Sequence, residues 1–349
     1  MNIKKLAREN ILRLEPYSSA REKYLDGILM DANENSLGSV YEDPEVEDLN
    51  RYPDPSHIEL KREAAEVFSV DPKNLFFGVG SDEIIDLLIR VFGRPGKDSA
   101  IIPEPTYGMY RVSCDINEIK VIDVELNTTF QIEVNKILEK SEADTKFVFL
   151  CSPNNPIGNN LAQDDILKLV SKFNGLVIVD EAYIDFSERD SLIHKITEYS
   201  NLIVLRTFSK AWGLAGVRCG FCAADEEVVK LLMKIKSPYN LSKLTMNAVI
   251  KALNQIERKN NYVSEINSEK IRMLNELRKI NKIEKVFGSD ANFILFRCPN
   301  ADSVYEALAD KGIIIRNRSS QKNLENCLRV TIGTQEENNI LLNMLRDIL

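Results

Sequence analysis

The 349 residues carry 45 Lys and Arg against 53 Asp and Glu, a formal net charge of −8, and are 44% hydrophobic and 28% charged. That length suggests two domains, the acidic balance argues against nucleic acid as the main partner, and no apolar run approaches the roughly 20 residues that span a bilayer. Six cysteines are too few for a disulfide scaffold, and two histidines, His57 and His194, weaken a His-rich metal centre or a Ser-His-Asp hydrolase. The opening "MNIKKLAREN" lacks an apolar signal core, so a cytoplasmic location is expected.

In chain order, the first 45 or so residues read as irregular and polar ("DANENSLGSVYEDPEVED"). From about residue 75 to 235, short apolar runs alternate with helical patterns: "NLFFGVG", "DSAIIP", "EIKVIDV", "TKFVFLCSP", "GLVIVDEAY", "NLIVLRTFS" and "GVRCGFC". Several are apolar on both faces, as in a parallel sheet covered by helices, and the alternation predicts an α/β fold. Cys219 and Cys222 form a C-x-x-C in the last run. Strand residues three apart point to opposite faces, which disfavours a redox pair. Residues 236–280 read as a helical connection. "IEKVFGS", "ANFILFRC", "GIIIRN" and "CLRVTIGT" then predict a smaller α+β domain.

Ligands of open α/β sheets bind beyond the carboxyl ends of the strands. In "FFGVGSDEIIDLLIRVF", Gly78 and Gly80 precede a helix opened by Ser81, Asp82 and Glu83, with Ile84, Leu87, Leu88 and Val91 on its buried face. Such a turn suits a phosphate, or is merely a strand–helix turn with Ser81 or Asp82 as cap. Glu83 stands where a dinucleotide fingerprint needs its third glycine. Tyr107 in "IPEPTYGMY" is either loop packing or a platform for a flat ring. Asn154 and Asn155 in "CSPNNPIG" either make a turn or bind a ring oxygen. Asp180 ends an apolar strand, where a carboxylate is costly unless paired, and Tyr183 follows by three. Lys210 and Arg218 in "TFSKAWGLAGVRCG" are either solvated cations or a nucleophilic amine and a phosphate grip. One ligand uses all these parts together: pyridoxal phosphate.

The ordered set "EPYSSAR", "DANEN", "NRYPDP", "GVGSDEIIDLLIRVF", "PTYGMY", "CSPNNPIG", "VDEAYIDF", "RTFSKAWGLAGVRCGF" and "CLRVTIGT" resembles the fold-type I pyridoxal-phosphate aminotransferases, and within them the histidinol-phosphate aminotransferases. The resemblance implies a large domain, residues 46–245, with a mostly parallel seven-stranded sheet. It also implies an N-terminal arm, 1–45, making part of the small domain and dimer contacts, and a small closing domain, 246–349. It implies that Lys210 carries pyridoxal 5′-phosphate covalently and moves a proton at the substrate α-carbon, and that Asp180 pairs with the pyridinium nitrogen. Asn155 and Tyr183 would reach the ring's 3′ oxygen, and Tyr107 would stack on the ring. The backbone of Ser81 and Asp82 and the side chains of Ser209 and Arg218 would hold the phosphate. Tyr52 would reach the coenzyme phosphate of the partner subunit in a homodimer. Arg329 would grip the substrate's anionic group, Arg316 and Tyr17 its phosphate, and Asn33 and Glu34 lie in a segment like an active-site loop. No metal is implied.

The implied reaction moves an amino group from L-histidinol phosphate to 2-oxoglutarate, in histidine biosynthesis. The rivals are an aromatic amino acid aminotransferase and a decarboxylase of a phosphorylated amino acid. Ile157 stands where the family often has Thr, a departure expected to alter the coenzyme pocket slightly without changing the reaction.

Overall fold

The computed structural model describes residues 1–16, 21, 24, 27–41, 43, 44 and 46–349. All seven apolar runs form strands: β1 (Leu75–Gly78), β2 (Ser99–Glu104), β3 (Lys120–Glu125), β4 (Thr145–Cys151), β5 (Leu176–Asp180), β6 (Leu202–Thr207) and β7 (Gly220–Ala223). They make one sheet in the order β1-β7-β6-β5-β4-β2-β3. Neighbours from β3 through β6 pair in parallel, whereas β7 runs antiparallel to both β1 and β6.

The double-sided apolarity has a direct structural cause. On β5, Leu176 and Ile178 enter one core and Val177 and Val179 the other. With helices on both faces, neither side of a central strand meets water. Cys219 and Cys222 fall into these two opposite cores, and all six cysteines are free and buried.

The helices Lys243–Leu253 and Ile256–Arg278 lead to a second sheet of β8 (Lys285–Val286), β9 (Phe293–Arg297), β10 (Arg316–Asn317) and β11 (Cys327–Thr331). Its order is β10-β11-β9-β8, antiparallel throughout. Successive side chains alternate across this sheet. Ile294, Phe296, Leu328 and Val330 pack with Met273, Leu277, Leu341 and Leu345 of the covering helices. Phe293, Leu295 and Cys327 point the other way, into clusters with Tyr183, Ala211 and Ile157 of the larger unit. The small sheet thus presents one face to its own helices and the other to the carboxyl ends of the large sheet.

The N-terminal segment is less irregular than its polarity suggests. Ile3, Ala7 and Ile11 recur every four residues through a 3-10 turn (Ile3–Lys5) and a short helix (Glu9–Arg13), and their stripe packs onto the large core. No described helix is long and apolar enough to cross a membrane.

Candidate active site

Asp180 is the last residue of β5, and its side chain follows Leu176 and Ile178 onto the same face. It is 3% exposed. Tyr110, from the helix Met109–Ile116 covering that face, donates its hydroxyl to Oδ2 at 2.8 Å, and the Ala182 amide donates to Oδ1 at 3.0 Å. Burial pushes the Asp180 carboxyl up to about 6, against those two hydrogen bonds. A buried carboxylate held in this way favours a cation arriving beside it.

Lys210 lies three residues beyond β6. Its Nζ is 5.6 Å from the centre of the Tyr183 ring. Burial, then the positive charge of Arg329, lowers its basicity; Asp180 opposes and Arg218 adds to the lowering. A less basic amine is more often unprotonated, which a nucleophile and proton carrier requires. Asn155 links this amine's surroundings to the small sheet. Its Nδ2 donates to the Tyr183 hydroxyl at 3.4 Å, and its Oδ1 accepts from Arg329 Nη1. Phe293 of β9 meets the Tyr183 ring edge-on at 5.1 Å, and the Arg329 guanidinium stands over Phe293 at 5.0 Å.

The opposite end of the site is built for an anion. The helix Gly80–Phe92 begins there with unpaired amides of its first turn. Gly80 has φ +75°, and a Cβ on it would lie 2.7 Å from Arg218 Nη2. A Cβ on Gly220 would lie 2.6 Å from the Ser81 nitrogen. Glycine at both positions lets β7 and Arg218 close on the helix terminus. Arg218 itself takes the left-handed conformation, φ +57°, which costs a non-glycine residue of order 1–2 kcal/mol and aims its guanidinium back at Gly80. Its contact with Asp82, at 4.0 Å and half-exposed, is worth little, so the guanidinium remains available.

The Ser209 amide donates to Thr207 Oγ1 at 3.1 Å, and both residues line the same cavity. Tyr107 donates its hydroxyl to Asp82 Oδ1 at 3.2 Å and meets Tyr110 edge-on at 5.5 Å.

Ser81, Asp82, Tyr107, Asn155, Asp180, Tyr183, Ser209, Lys210 and Arg218 therefore line one cavity, as the sequence suggested. Thr207 lines it too, and Tyr110 stands behind Asp180; the sequence reading marked neither. Tyr110 sat in the quoted "PTYGMY", and its i, i+4 spacing with Cys114 marked it as a helix residue facing the sheet. Arg316 pairs across the β10–β11 ladder with Arg329.

Asn33 and Tyr52 do not reach this cavity within the chain. They line another one with Glu34 and Arg51, where the Tyr52 ring stacks on Tyr239 at 4.4 Å. Glu34 accepts from Arg21 Nη2 at 2.5 Å, Arg51 Nη1 at 2.9 Å and the Tyr52 amide at 2.6 Å, so it fixes that loop. Tyr17 lies outside the described residues. Ile157 is not at the coenzyme cavity either. It is buried with Phe287, Leu295, Leu324 and Cys327, so the expected change to the pocket gives way to a packing role between the two units.

Aminotransferase class I and II is the family that matches residues 29–345. The histidinol-phosphate aminotransferase of Christiangramia forsetii is 44% identical over 99% of this chain and 98% of its own. The crystal structure of the histidinol-phosphate aminotransferase from Clostridium acetobutylicum aligns with a TM-score of 0.80 and 25% identity over 86% of this chain and 91% of that one. The histidinol-phosphate aminotransferase of Sinorhizobium meliloti, solved in complex with pyridoxal-5′-phosphate, shares the fold, with a TM-score of 0.78 and 22% identity over 91% and 90% of the two chains. A family match across both sheets, a lysine beyond β6 and a buried aspartate ending β5 agree on one conclusion: the chain belongs to the class I and II aminotransferases, with the fold-type I architecture.

Proposed function

We propose that the chain transfers the amino group of L-histidinol phosphate to 2-oxoglutarate, with pyridoxal 5′-phosphate in the cavity at the carboxyl ends of β4, β5 and β6. One observation carries the substrate reading. Arg329 of the small sheet donates to Asn155 in the cavity wall, and Arg316 is its cross-strand partner. Arginine forks donate to phosphate and carboxylate alike, so one receptor serves both anionic substrates in turn. The end-to-end likeness to a histidinol-phosphate aminotransferase supports the same substrate pair.

The residues fit the coenzyme from both ends: a buried carboxylate for a ring nitrogen, and a glycine-walled helix terminus with Arg218 for a phosphate. When bound, pyridoxal phosphate supplies a ring that takes up electron density from the substrate's α-carbon. Asp180 would hold a positive charge at the ring nitrogen, and Tyr110 fixes the carboxylate's orientation. Lys210 would carry the coenzyme and, once freed, would take up the proton lost from the substrate α-carbon, a task its lowered basicity suits. Ser81, Asp82, Ser209 and Arg218 would hold the phosphate, and Asn155, Tyr183 and Tyr107 would hold the ring.

Two chains act together in this reading, and the small unit, 246–349, closes over substrate. Ile28, Met30, Leu37 and Val40 are 93%, 86%, 99% and 106% exposed in the arm, an apolar run suited to a second copy. Tyr52 and Asn33 then serve the partner's site, and Tyr17 the substrate phosphate. Six free cysteines suit the reducing cytoplasm.

The test is the visible absorption of the purified holoenzyme after adding L-histidinol phosphate without acceptor. The coenzyme's band should fall, and 2-oxoglutarate should restore it. A response to phenylalanine but not to histidinol phosphate would move the reading to an aromatic aminotransferase, and carbon dioxide release without acceptor to a lyase.

A further inference from the structure

Arg318 follows β10 by one residue and extends its register. Its amide donates to the Cys327 carbonyl at 2.8 Å, one step beyond the pairs Arg316↔Arg329 and Asn317↔Leu328. Residues two apart on extended chain share a face, and so do cross-strand partners. Arg316, Arg318 and Arg329 therefore stand on one face of the small sheet. It is the face carrying Leu295 and Cys327, because Leu328 and Val330 occupy the helix side.

Among the described residues none of the three is paired with a carboxylate, whereas Arg206 has Asp185 and Arg218 has Asp82. The Nε atoms of both Arg318 and Arg329 are buried without a hydrogen-bond partner. Burial lowers the basicity of both, joined by the charge of Arg316 at Arg318 and by those of Arg318 and Arg316 at Arg329, which falls to about 10.

We propose that Arg318 is a specificity-determining residue that reads the second negative charge of a phosphate monoester, so that the site favours a dianionic tip over a carboxylate. A carboxylate offers two oxygens and one charge, which a single arginine fork satisfies. A phosphate monoester offers three acceptor oxygens and a charge of about −1.5 to −2 at pH 7. Its third oxygen and its extra charge call for a donor beyond Arg329 and Arg316, and Arg318 is the third cation on that face among the described residues. The choice of substrate rests on the histidinol phosphate reading above; the assignment of Arg318 to a phosphate dianion does not.

The experiment compares wild-type holoenzyme with Arg318→Gln and Arg318→Lys. It measures kcat/KM for histidinol phosphate and for 2-oxoglutarate, and the Ki of inorganic phosphate as a competitor of the amino donor. One lost charge-assisted contact corresponds to about 10- to 100-fold. Arg318→Gln should lose that much in kcat/KM for histidinol phosphate, chiefly through KM. It should change 2-oxoglutarate by no more than about threefold and raise the phosphate Ki about tenfold, with Arg318→Lys recovering part of each loss. Equal losses for both substrates, or a phosphate Ki unchanged in Arg318→Gln, would overturn the proposal. If the wild type ignores histidinol phosphate, the functional reading fails, while the phosphate Ki still decides the case for Arg318.

Discussion

The two faces that meet at the cavity are charged in opposite ways. At the carboxyl ends of the large sheet, the carboxylates are held within the chain: Asp180 has Tyr110 and the Ala182 amide, and Asp82 has Tyr107 and a weak contact with Arg218. On the small sheet, Arg316, Arg318 and Arg329 share one face, and none of them is paired with a carboxylate among the described residues. The first arrangement is preorganised, as a group that stays in place through many turnovers requires. The second is left with surplus positive charge, which a ligand that comes and goes relieves at each visit. That difference matches the function proposed above, with resident coenzyme on one side and transient anion on the other.

The largest break in the comparison comes at Lys210. Lys210→Ala removes the proton carrier while leaving Asp180, Arg218 and the helix terminus intact. Turnover should fall by at least about 10³-fold, and coenzyme should still be retained through gel filtration. Turnover near the wild-type level would show that another group moves the proton.

Asp180→Asn separates function from stability. Without a cation beside it, Asp180 has its carboxyl raised from 3.8 to about 6, chiefly by burial. A raised carboxyl contributes stability that is fully present below the unfolded pKa, near pH 4, and lost as the pH rises through about 6. The coenzyme-free wild type should therefore lose of order 2–3 kcal/mol at pH 7 relative to pH 4 from this group alone. Asparagine keeps an acceptor for the Tyr110 hydroxyl and carries no charge. Coenzyme-free Asp180→Asn should thus melt higher than wild type at pH 7 and alike at pH 4, while the loaded variant loses turnover about 10²- to 10³-fold. A lower melting temperature at pH 7 would mean that the buried charge is already compensated.

Arg329→Ala acts on the other face. It removes the guanidinium bonded to Asn155, and kcat/KM for both anionic substrates should fall about 10- to 100-fold. Coenzyme retention should stay as in wild type. Loss of coenzyme instead would place Arg329 with the resident group and merge the two faces.

The coenzyme face was largely legible in the sequence and the arginine face only in part, for physical reasons. Asp180 and Lys210 stand out because each interrupts or follows an apolar run that buries on both sides. The parallel strands were legible for the same reason. That β7 runs against its neighbours was not, since an apolar run carries no direction. Tyr110 was missed because an aromatic on a sheet-facing helix looks like any core residue; only the tertiary contact at 2.8 Å gives its hydroxyl a purpose. Arg318 was missed because an arginine in a polar hairpin reads as solvated surface until the β10–β11 register sets it beside Arg329. Asn33 and Tyr52 were marked by resemblance, yet local sequence could not reveal that they line a separate cavity beside Tyr239.

The smallest effect on activity is expected where the two units pack without touching the chemistry. Ile157 is 2% exposed, its amide donates to Asn154 Oδ1 at 3.1 Å, and its side chain fills a cluster with Phe287, Leu295, Leu324 and Cys327. Threonine there would keep the β-branch and the amide bond but remove apolar contact and bury a hydroxyl with no partner in that cluster. Ile157→Thr should therefore cost about 1–3 kcal/mol of stability, read as a lower melting temperature, and change kcat/KM by no more than about threefold, within the effect of one weak contact. The outcome that would break this reading is the reverse pattern, in which coenzyme affinity drops about tenfold at an unchanged melting temperature. Position 157 would then act on the resident coenzyme, and the packing between the two units would have to be held by Phe293, Tyr183 and the Asn155–Arg329 bond instead.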